Sequence, residues 1–515
     1  MVKPWYPRPW QPRMVEFGLS VPRCNLLARM GMGKSSPVLA VIDTRMLAGE
    51  VSKTLLLAPL RVARSTWPDE AGKWSQFAHL RVEFLEHWTP QEETYLRALT
   101  LAWKAEAKED KATARDAHRA AAQLQPAARD SRLAIIDRLD IQTVNFEVAP
   151  QFVAILQGSR PFQMGVADEA TKLKSFRLLQ GGRRAQAISE VAHDMRFWMN
   201  LSGGIVPNGL ANLWGPMHFI DKGARLGRTY DAFENRWFGY QRAKDAVNAH
   251  KTRIARIAFP HAQAEILERI KDVSLALNPK DWFDIKEPIV ERVYVELPAE
   301  ARKKYREMER DMFTHIAGHD IEAFASSGKV IKCLQLANGA VYTGAEDQIE
   351  RDISHWVPAH DAKLDALESI INENDGEVIL VAYHFKPDLA RLKKRFPQGR
   401  HIDTKKDEDA FKRGEIPLAF VHPQSIGHGV DGFQNVCHII VFFAITFDLD
   451  PHDQIIERVG PMRQMQAGFD REVMVYLILA RGTVDEIVDE RLVKKRAVQD
   501  ATMDSLAYKP EGELW

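Results

Sequence analysis

The chain has 515 residues, of which 45% are hydrophobic and 27% charged, an ordinary balance for a globular protein of two or three domains. Its 70 basic and 70 acidic residues give a formal net charge of zero, so no overall field draws it to nucleic acid or membranes. Any polyanion must therefore be held by a local patch of basic residues. The three cysteines lack the spacing of a zinc site or a disulfide framework, and no apolar run is long enough for a membrane helix, which together favour a cytoplasmic protein.

Short apolar runs, each closed by a polar or glycine-containing turn, recur in two groups along the chain. They are "NLLA" (25–28), "TLLLAPL" (54–60), "FQMGVADEA" (162–170), "MRFWMNLSGG" (195–204), "EVILVAYHF" (377–385), "IPLAFVHP" (416–423), "CHIIVFF" (437–443) and "REVMVYLILA" (471–480). Runs of this length that are apolar on both faces are typical of buried parallel strands, and helical stretches separate them. The sequence therefore predicts an α/β protein with two lobes, over residues 1–225 and 351–515.

Charged segments predict helices outside the two sheets. The stretch 94–124 is rich in Ala, Lys, Glu and Arg, and predicts a long solvated helix or a helical hairpin inserted into lobe 1 at about residues 90–135. Residues 226–350 include "AEARKKYREMERDMF" (299–313) and are predicted to form a mainly helical region between the lobes. "TVDEIVDERLVKKRAV", near the C-terminus, spaces its apolar residues along one stripe of a helix that would dock on a lobe.

The segment "ARMGMGKS" (28–35) joins the first apolar run to an apolar helix and contains most of a phosphate-binding loop. Backbone N–H groups at the start of such a helix can face phosphates. Lys34 can reach the β- and γ-phosphates, and the Ser35 hydroxyl can bind Mg²⁺. The rest of the loop consists of Gly31, Met32 and Gly33, and Ala28 replaces the first glycine of the Walker pattern.

A pair of carboxylates, Asp168 and Glu169, ends the apolar run in "GVADEATKLKS". A P-loop ATPase needs one carboxylate at a strand tip to hold Mg²⁺ and a second to align the attacking water. Asp168 fits the first role and Glu169 fits the second. Together with the loop at Lys34, this pair predicts a site that binds and hydrolyses ATP.

These two segments resemble motifs I and II of superfamily II helicases, in which the first Walker glycine is often replaced. "RPWQPRMVEF" resembles the Q motif, which would place Gln11 on the adenine edge. "TLLLAPLRVARSTWPDEAGKW" is similar to motif Ia of the Swi/Snf-type ATPases. "LSGGIVPNGLANLW" is similar to their motif III, with Ser202 and Gly203 as coupling residues and Gly204-Ile205 in place of the usual Thr-Pro. The resemblance implies two RecA-like lobes, which are parallel sheets flanked by helices, with helical insertions, in a compact chain similar to bacteriophage-encoded versions.

Two segments of the second lobe resemble the remaining motifs. "HPQSIGHGVDGFQ" (422–434) is similar to motif V, which would place Gly429 at the nucleotide. "QIIERVGPMRQMQAG" (454–468) is similar to motif VI, normally Gln-x₃-Arg-x₂-Arg. Arg458 matches the first arginine, whereas Arg463 stands two residues late for the second. The resemblance implies that one of the two is the arginine finger.

The resemblance implies ATP and Mg²⁺ as cofactors and double-stranded DNA as the partner, with DNA-stimulated ATP hydrolysis driving movement along the duplex. Candidate DNA contacts are Pro59, Arg61, Lys172, Lys174, His384, Lys386 and Ser425. Two alternatives stay open: a nucleotide-gated DNA clamp with little turnover, and a strand-separating DNA or RNA helicase. No membrane partner is expected, and the sequence does not specify a replication, recombination, repair or transcription partner.

Overall fold

The computed structural model describes residues 2–29, 31–179, 181–204, 209–244, 252–283, 285–311, 313–316, 319–322, 326–343, 355–426 and 431–507. The chain divides into two compact units. Unit 1 comprises Met1–Phe238, Ala258–Trp282 and Gln499–Trp515. Unit 2 comprises Gly239–Ile257 and Phe283–Val498.

Unit 1 is built on a seven-stranded sheet in which all neighbouring strands are parallel. Its strands are β1 (Arg23–Ala28), β2 (Thr54–Ala58), β3 (Val82–Phe84), β4 (Ile141–Asn145), β5 (Met164–Asp168), β6 (Phe197–Ser202) and β9 (Ser274–Leu277). Their order across the sheet is β3-β4-β2-β5-β6-β1-β9. A separate two-stranded sheet pairs β7 (Phe238–Lys244) with β8 (Thr252–Ala258), and all of its residues except Phe238 and Ala258 belong to unit 2.

The helices of unit 1 connect these strands. They are α1 (Gln11–Ser20), α2 (Ser35–Leu47), α3 (Trp67–Lys73), α4 (Pro90–Ala107), α5 (Lys111–Ile136), α6 (Ala149–Ile155), α7 (Arg183–Ala192), α8 (Trp214–Asp221), α9 (Tyr230–Trp237) and α10 (Ala262–Ile270). Helices α4 and α5 form the predicted helical hairpin. Its interior holds an ion pair between Arg132 and Glu92, whose side chains are almost fully buried and joined by two hydrogen bonds of 2.6 and 2.7 Å. A bidentate pair of this kind fixes how the two helices pack.

Unit 2 is built on a six-stranded parallel sheet and two small antiparallel pairs. Its strands are β10 (Ile289–Val295), β11 (Phe313–Ile316), β12 (His319–Glu322), β13 (Ala340–Tyr342), β14 (Trp356–Pro358), β15 (Ile379–Ala382), β16 (Arg400–His401), β17 (Leu418–Val421), β18 (Ile439–Phe442) and β19 (Met474–Ala480). The six-stranded sheet has the order β10-β19-β18-β15-β17-β16.

The helices of unit 2 are α11 (Ala299–Asp311), α12 (Ser326–Asn338), α13 (Ala362–Glu373), α14 (Lys386–Arg395), α15 (Lys405–Lys412), α16 (Pro423–Ile426), α17 (Leu449–Val459), α18 (Pro461–Gln466) and α19 (Val484–Leu506). The last of these begins in unit 2, and its residues from Gln499 onward belong to unit 1. Among the helices in the described ranges, none combines the length and apolarity that a bilayer span requires.

The predicted fold class is confirmed: two parallel sheets are flanked by helices, and each of the eight apolar runs contains a strand. The cores are apolar on both sheet faces, as in β2 and β15, whose residues are all buried. The division of the chain differs from the predicted boundaries, because two sheet strands lie within 226–350, which was predicted to be mainly helical. Strand β9 belongs to the seven-stranded sheet of unit 1, and β10 belongs to the six-stranded sheet of unit 2. Strand β10 is an edge strand with mostly exposed residues, so it lacks the apolar run of a central strand.

Candidate active site

Three predicted motifs lie at one edge of the unit 1 sheet. Strands β5, β6 and β1 are adjacent and parallel, so their carboxyl ends lie side by side. Asp168 is opposite Leu201 in the register of β5 and β6, and Ser202 is opposite Leu27 in that of β6 and β1. In open parallel sheets, this edge is where ligands bind.

The phosphate-binding segment forms a tight turn between β1 and α2. Gly31 and Gly33 have φ angles of 83° and 67°, a conformation that favours glycine. Helix α2 starts at Ser35, so its first N–H groups border the turn. The Lys34 ammonium donates a hydrogen bond of 2.6 Å to the carbonyl of Ala28. This places the lysine over the turn that it would share with phosphates.

The segment before α1 holds this turn in place. The Gln11 amide nitrogen donates to the carbonyl of Gly33 at 2.9 Å and lies 3.4 Å from the Ser36 hydroxyl. The Trp10 indole N–H donates to the carbonyl of Met32 at 2.8 Å. Gln11 is therefore buried and supports the phosphate loop by hydrogen bonds. Its expected contact with the adenine edge stays a prediction.

Asp168 is held by a tryptophan. The Trp67 indole N–H donates to Asp168 Oδ2 at 3.0 Å. Burial, together with the nearby Glu169 charge, raises the pKa of Asp168 to about 6, although the Lys34 ammonium and the Trp67 hydrogen bond oppose the rise. The Lys34 ammonium is close enough to Asp168 to act on it electrostatically, and a shared site for the phosphate loop and the carboxylate pair stays a prediction.

Glu169 adopts a left-handed backbone conformation, with φ 68° and ψ 54°. A side chain in this region costs of order 1 kcal/mol or more and persists where the surroundings impose it, often at functional sites. The conformation lies at the abrupt change from β5 to the short turn of helix at Ala170–Leu173.

The predicted coupling loop follows β6. The Ser202 hydroxyl donates to the carbonyl of Gly204 at 2.6 Å, and Gly203 lies between them. A Cβ on Gly204 would lie 2.6 Å from the side-chain amide carbon of Gln499, so the threonine usual in the resembling family would require that amide to move. Ile205, also named in the departure from the family pattern, lies outside the described residues.

The unit 1 candidates for DNA contact lie near the same edge. Pro59 and Arg61 follow β2, which is the neighbour of β5 in the sheet. Lys172 is exposed just after the carboxylate pair, whereas Lys174 is half-buried. The four residues therefore follow adjacent strands, and a DNA contact by any of them stays a prediction.

The two candidate arginine fingers lie on different helices of unit 2. Arg458 is buried near the end of α17, and Arg463 belongs to α18. The extended Gly460 and the helix-starting Pro461 separate the two helices. Arg463 forms an ion pair with Asp431. Burial would raise the pKa of Asp431, but the charges of Arg463 and Arg458 and the hydrogen bonds from Gly432 and Gln434 together outweigh it and hold that pKa below its usual value.

The unit 2 candidates for DNA contact follow β15 and β17. Lys386 is exposed at the start of α14, and the exposed Ser425 donates its hydroxyl to the carbonyl of His422 at 2.9 Å. His384 stacks on His422, with centroids 5.7 Å apart. Burial lowers the pKa of His384 to about 4, so its ring is neutral at physiological pH and can contact DNA only as a neutral group. Gly429 lies outside the described residues.

Sequence reasoning missed three partners in these sites. Trp67 lies in the segment that is similar to motif Ia, and it donates its indole N–H to the carboxylate of Asp168. Asp431 pairs with Arg463, and Asp500 of α19 forms an ion pair with Arg29, directly after β1. A buried indole N–H needs an acceptor, which is the one signal the sequence carried for Trp67.

Comparison with known proteins places the chain in a family. It is 40% identical to protein p41 of Acyrthosiphon pisum secondary endosymbiont phage 1, over 511 residues that cover 99% of this chain and 100% of that protein. The chain belongs to the p41 family. No described protein-family model matches it.

Solved structures similar to this p41-family chain share little sequence with it. The SWI2/SNF2 ATPase core of Sulfolobus solfataricus in complex with dsDNA is 18% identical, with a TM-score of 0.40 and coverage of 97% of this chain and 93% of that one. A second structure, of the Sulfolobus solfataricus SWI2/SNF2 ATPase core domain, is 17% identical with a TM-score of 0.37. The match covers 97% of this chain and 91% of that one. Both similarities are too low to decide a function.

Proposed function

We propose that this p41-family protein is a DNA-dependent ATPase that uses ATP hydrolysis to move along double-stranded DNA. The observation that carries the proposal is the juxtaposition, at one sheet edge, of the glycine turn under Lys34 and the carboxylate pair Asp168-Glu169. This combination supplies a cation for phosphates, an acceptor for a metal and a second carboxylate for water. The motif resemblance in the sequence supplies the choice of DNA as the track.

The residues present fit a Mg²⁺-ATP complex. Mg²⁺ takes oxygen ligands, and Ser35 and Asp168 offer a hydroxyl and a carboxylate that would hold it. When bound, the ion neutralises charge on the phosphate oxygens. Because burial destabilises the ionised form of Asp168 and raises its pKa, a neighbouring dication would stabilise that ionised form strongly.

The remaining roles belong to this chain's own side chains. Lys34 would exchange the carbonyl of Ala28 for the β- and γ-phosphates. Glu169 would orient the attacking water and accept its proton. Gln11 and Trp10 would keep the glycine turn in the shape that the phosphates require.

We further propose that an arginine of unit 2, Arg458 or Arg463, completes the site when the two units close on ATP. An arginine supplied in this way accelerates related NTPases by ~10³–10⁵. Making closure depend on bound DNA would make hydrolysis depend on the track. Contacts to phosphates by Arg61, Lys172 and Lys386 would be independent of sequence.

The experiment is a steady-state ATPase assay with no nucleic acid, duplex DNA, single-stranded DNA and RNA. The proposal expects the largest stimulation with duplex DNA. The Lys34→Ala variant should lose turnover in every condition and keep the wild-type melting temperature. Greater stimulation by single strands or RNA would support the strand-separating helicase instead.

A second candidate function is a nucleotide-gated DNA clamp with little turnover. The ion pair between Arg463 and Asp431 favours it, because an arginine held by a carboxylate is less available to a phosphate. ATP-dependent DNA affinity without DNA-stimulated hydrolysis would favour the clamp over the motor.

A further inference from the structure

A cavity of about 330 Å³ opens in unit 2. Its walls come from α12, from the segments that follow β15, β17 and β18, and from the start of α17. The aromatic and polar residues of its lining include His384, His422, Gln424, Phe442, Thr446 and His452. The volume lies in the range of small-molecule sites, ~300–1,000 Å³.

The cavity lies where the sheet connections diverge. Strands β15 and β18 are neighbours in the sheet. From β15 the chain runs through α14 towards β16, whereas from β18 it runs through α17 and α18 to β19 on the opposite side. Such a point at the carboxyl ends of parallel strands leaves a crevice, and open α/β sheets bind ligands there.

The walls offer flat, uncharged rings. His384 stacks on His422 with centroids 5.7 Å apart, and Phe442 stacks on His452 at 4.3 Å with an interplanar angle of 17°. Burial lowers the pKa values of all three histidines, so the rings are neutral. Among the described lining residues there is no Lys or Arg, and Asp448 is the one carboxylate. The interior therefore suits a neutral aromatic ring and not a phosphate.

One buried nitrogen in the wall lacks a partner. His452 is 8% exposed, and its Nε2 has no hydrogen-bond partner in the part of the chain that the structure describes. Its Nδ1 lies 3.4 Å from Asp453 and 3.3 Å from Arg496, an acceptor and a donor. Either tautomer is therefore supported, and Nε2 can accept or donate. A buried polar atom left unpaired is costly, so a ligand group that reached it would stabilise it.

We propose that this cavity binds one unpaired base of a nucleic-acid strand, stacked on the wall rings. Thr446 and Gln424 add further hydrogen-bonding groups to the wall. Lys386 and Ser425 are exposed beside the segments that line the cavity and are placed to meet the flanking phosphates. The inference rests on the proposed function for the presence of DNA. It adds a contact to a base to the proposed DNA contacts, which otherwise involve only phosphates.

The test is an ATP-free binding measurement, so it does not depend on ATP turnover. The probes are a duplex with a short single-stranded overhang and the same duplex with an abasic overhang. We expect roughly tenfold tighter binding of the overhang that carries bases, since base stacking contributes at about that level. A 2-aminopurine in the overhang should lose fluorescence on binding.

Two variants keep the test independent of folding. Ile331→Trp fills the cavity from its rim, where Ile331 is 44% exposed, and should reduce the affinity for the normal overhang to that for the abasic one. Val493→Trp places the same side chain at a residue outside the lining set that is 50% exposed, and should change neither affinity.

Equal affinity for the two overhangs, or an unchanged preference in Ile331→Trp, would overturn the base pocket while leaving the motor intact. Binding of free 2-aminopurine riboside without discrimination between the overhangs would overturn the strand as the ligand. Failure to bind either duplex would count against the proposed function as well.

Discussion

The hydrogen bond from Trp67 to Asp168 leads to a pH-dependent prediction. Replacing Trp67 with Phe removes the N–H donor at 3.0 Å and keeps most of the buried ring. A hydrogen bond to a charged group contributes ~1.5–3 kcal/mol, and one pKa unit corresponds to about 1.4 kcal/mol. Because the donor stabilises the ionised carboxylate, its loss should raise the pKa of Asp168 by roughly one to two units above its value of about 6.

Only the ionised carboxylate can hold Mg²⁺, so the acidic limb of kcat/KM for ATP should move to higher pH in Trp67→Phe. Ionised fractions for a pKa shift of about 1.5 units predict a loss of about fourfold at pH 7 and more than tenfold at pH 6, with recovery near pH 9. The assay is steady-state hydrolysis across this pH range, at saturating Mg²⁺ and duplex DNA.

The matched control is Trp198→Phe. Trp198 is likewise fully buried in unit 1 and donates its indole N–H at 2.8 Å, but to Asn200. It should lose stability without moving the pH profile. If Trp67→Phe lowers kcat/KM equally at every pH, as a purely structural defect would, the assignment of Trp67 to the carboxylate is refuted.

Further predictions concern the carboxylate pair and the candidate arginine fingers. In the nucleotide-free protein, Asp168→Asn should raise the free energy of unfolding at neutral pH by up to ~3 kcal/mol and have little effect near pH 3. The reason is that the stability contributed by Asp168 is present below the pKa of its carboxyl in the unfolded chain and is lost as pH rises through about 6. Equal effects of Asp168→Asn at both pH values in denaturant titrations would contradict this reasoning. Glu169→Gln should bind ATP without hydrolysing it, and Glu169→Gly should be more stable than Glu169→Gln by roughly 1 kcal/mol, because glycine relieves the left-handed backbone. Undiminished turnover in Glu169→Gln removes that residue from its role. Single replacement of Arg458 and Arg463 by Ala should lower kcat by ~10³ for one of them; normal rates in both variants would show that neither is the finger.

The sequence was sufficient for the central strands and for the order of the motifs along the chain. A strand such as β2, buried on both faces, must be apolar throughout, and its run is visible without alignment. Phosphate loops and strand-tip carboxylates are equally local, because each role needs particular residue types at a particular spacing. The adjacency of β5, β6 and β1 was not predicted, and it is the structure that places their carboxyl ends together.

The remaining features depend on contacts between distant parts of the chain. The edge strands β9 and β10 are short or exposed and carry little periodic signal. The hydrogen bond between Trp67 and Asp168 joins residues about a hundred positions apart. The ion pair between Asp431 and Arg463 joins residues that β18 and α17 separate in the sequence. Asp500 returns to Arg29 from the other end of the sequence. No local pattern encodes these pairs, because they form only when the sheets are assembled.

The central claim, that ATP hydrolysis at Lys34, Asp168 and Glu169 drives movement along a duplex, is tested most directly by displacement of a third strand. A triplex-forming oligonucleotide bound to one end of a linear duplex is released by a protein that travels along the duplex without opening it. The account predicts ATP-dependent release by the wild-type protein and none by Lys34→Ala or Glu169→Gln. Release that is independent of ATP, or absent while duplex DNA still stimulates hydrolysis, would contradict it.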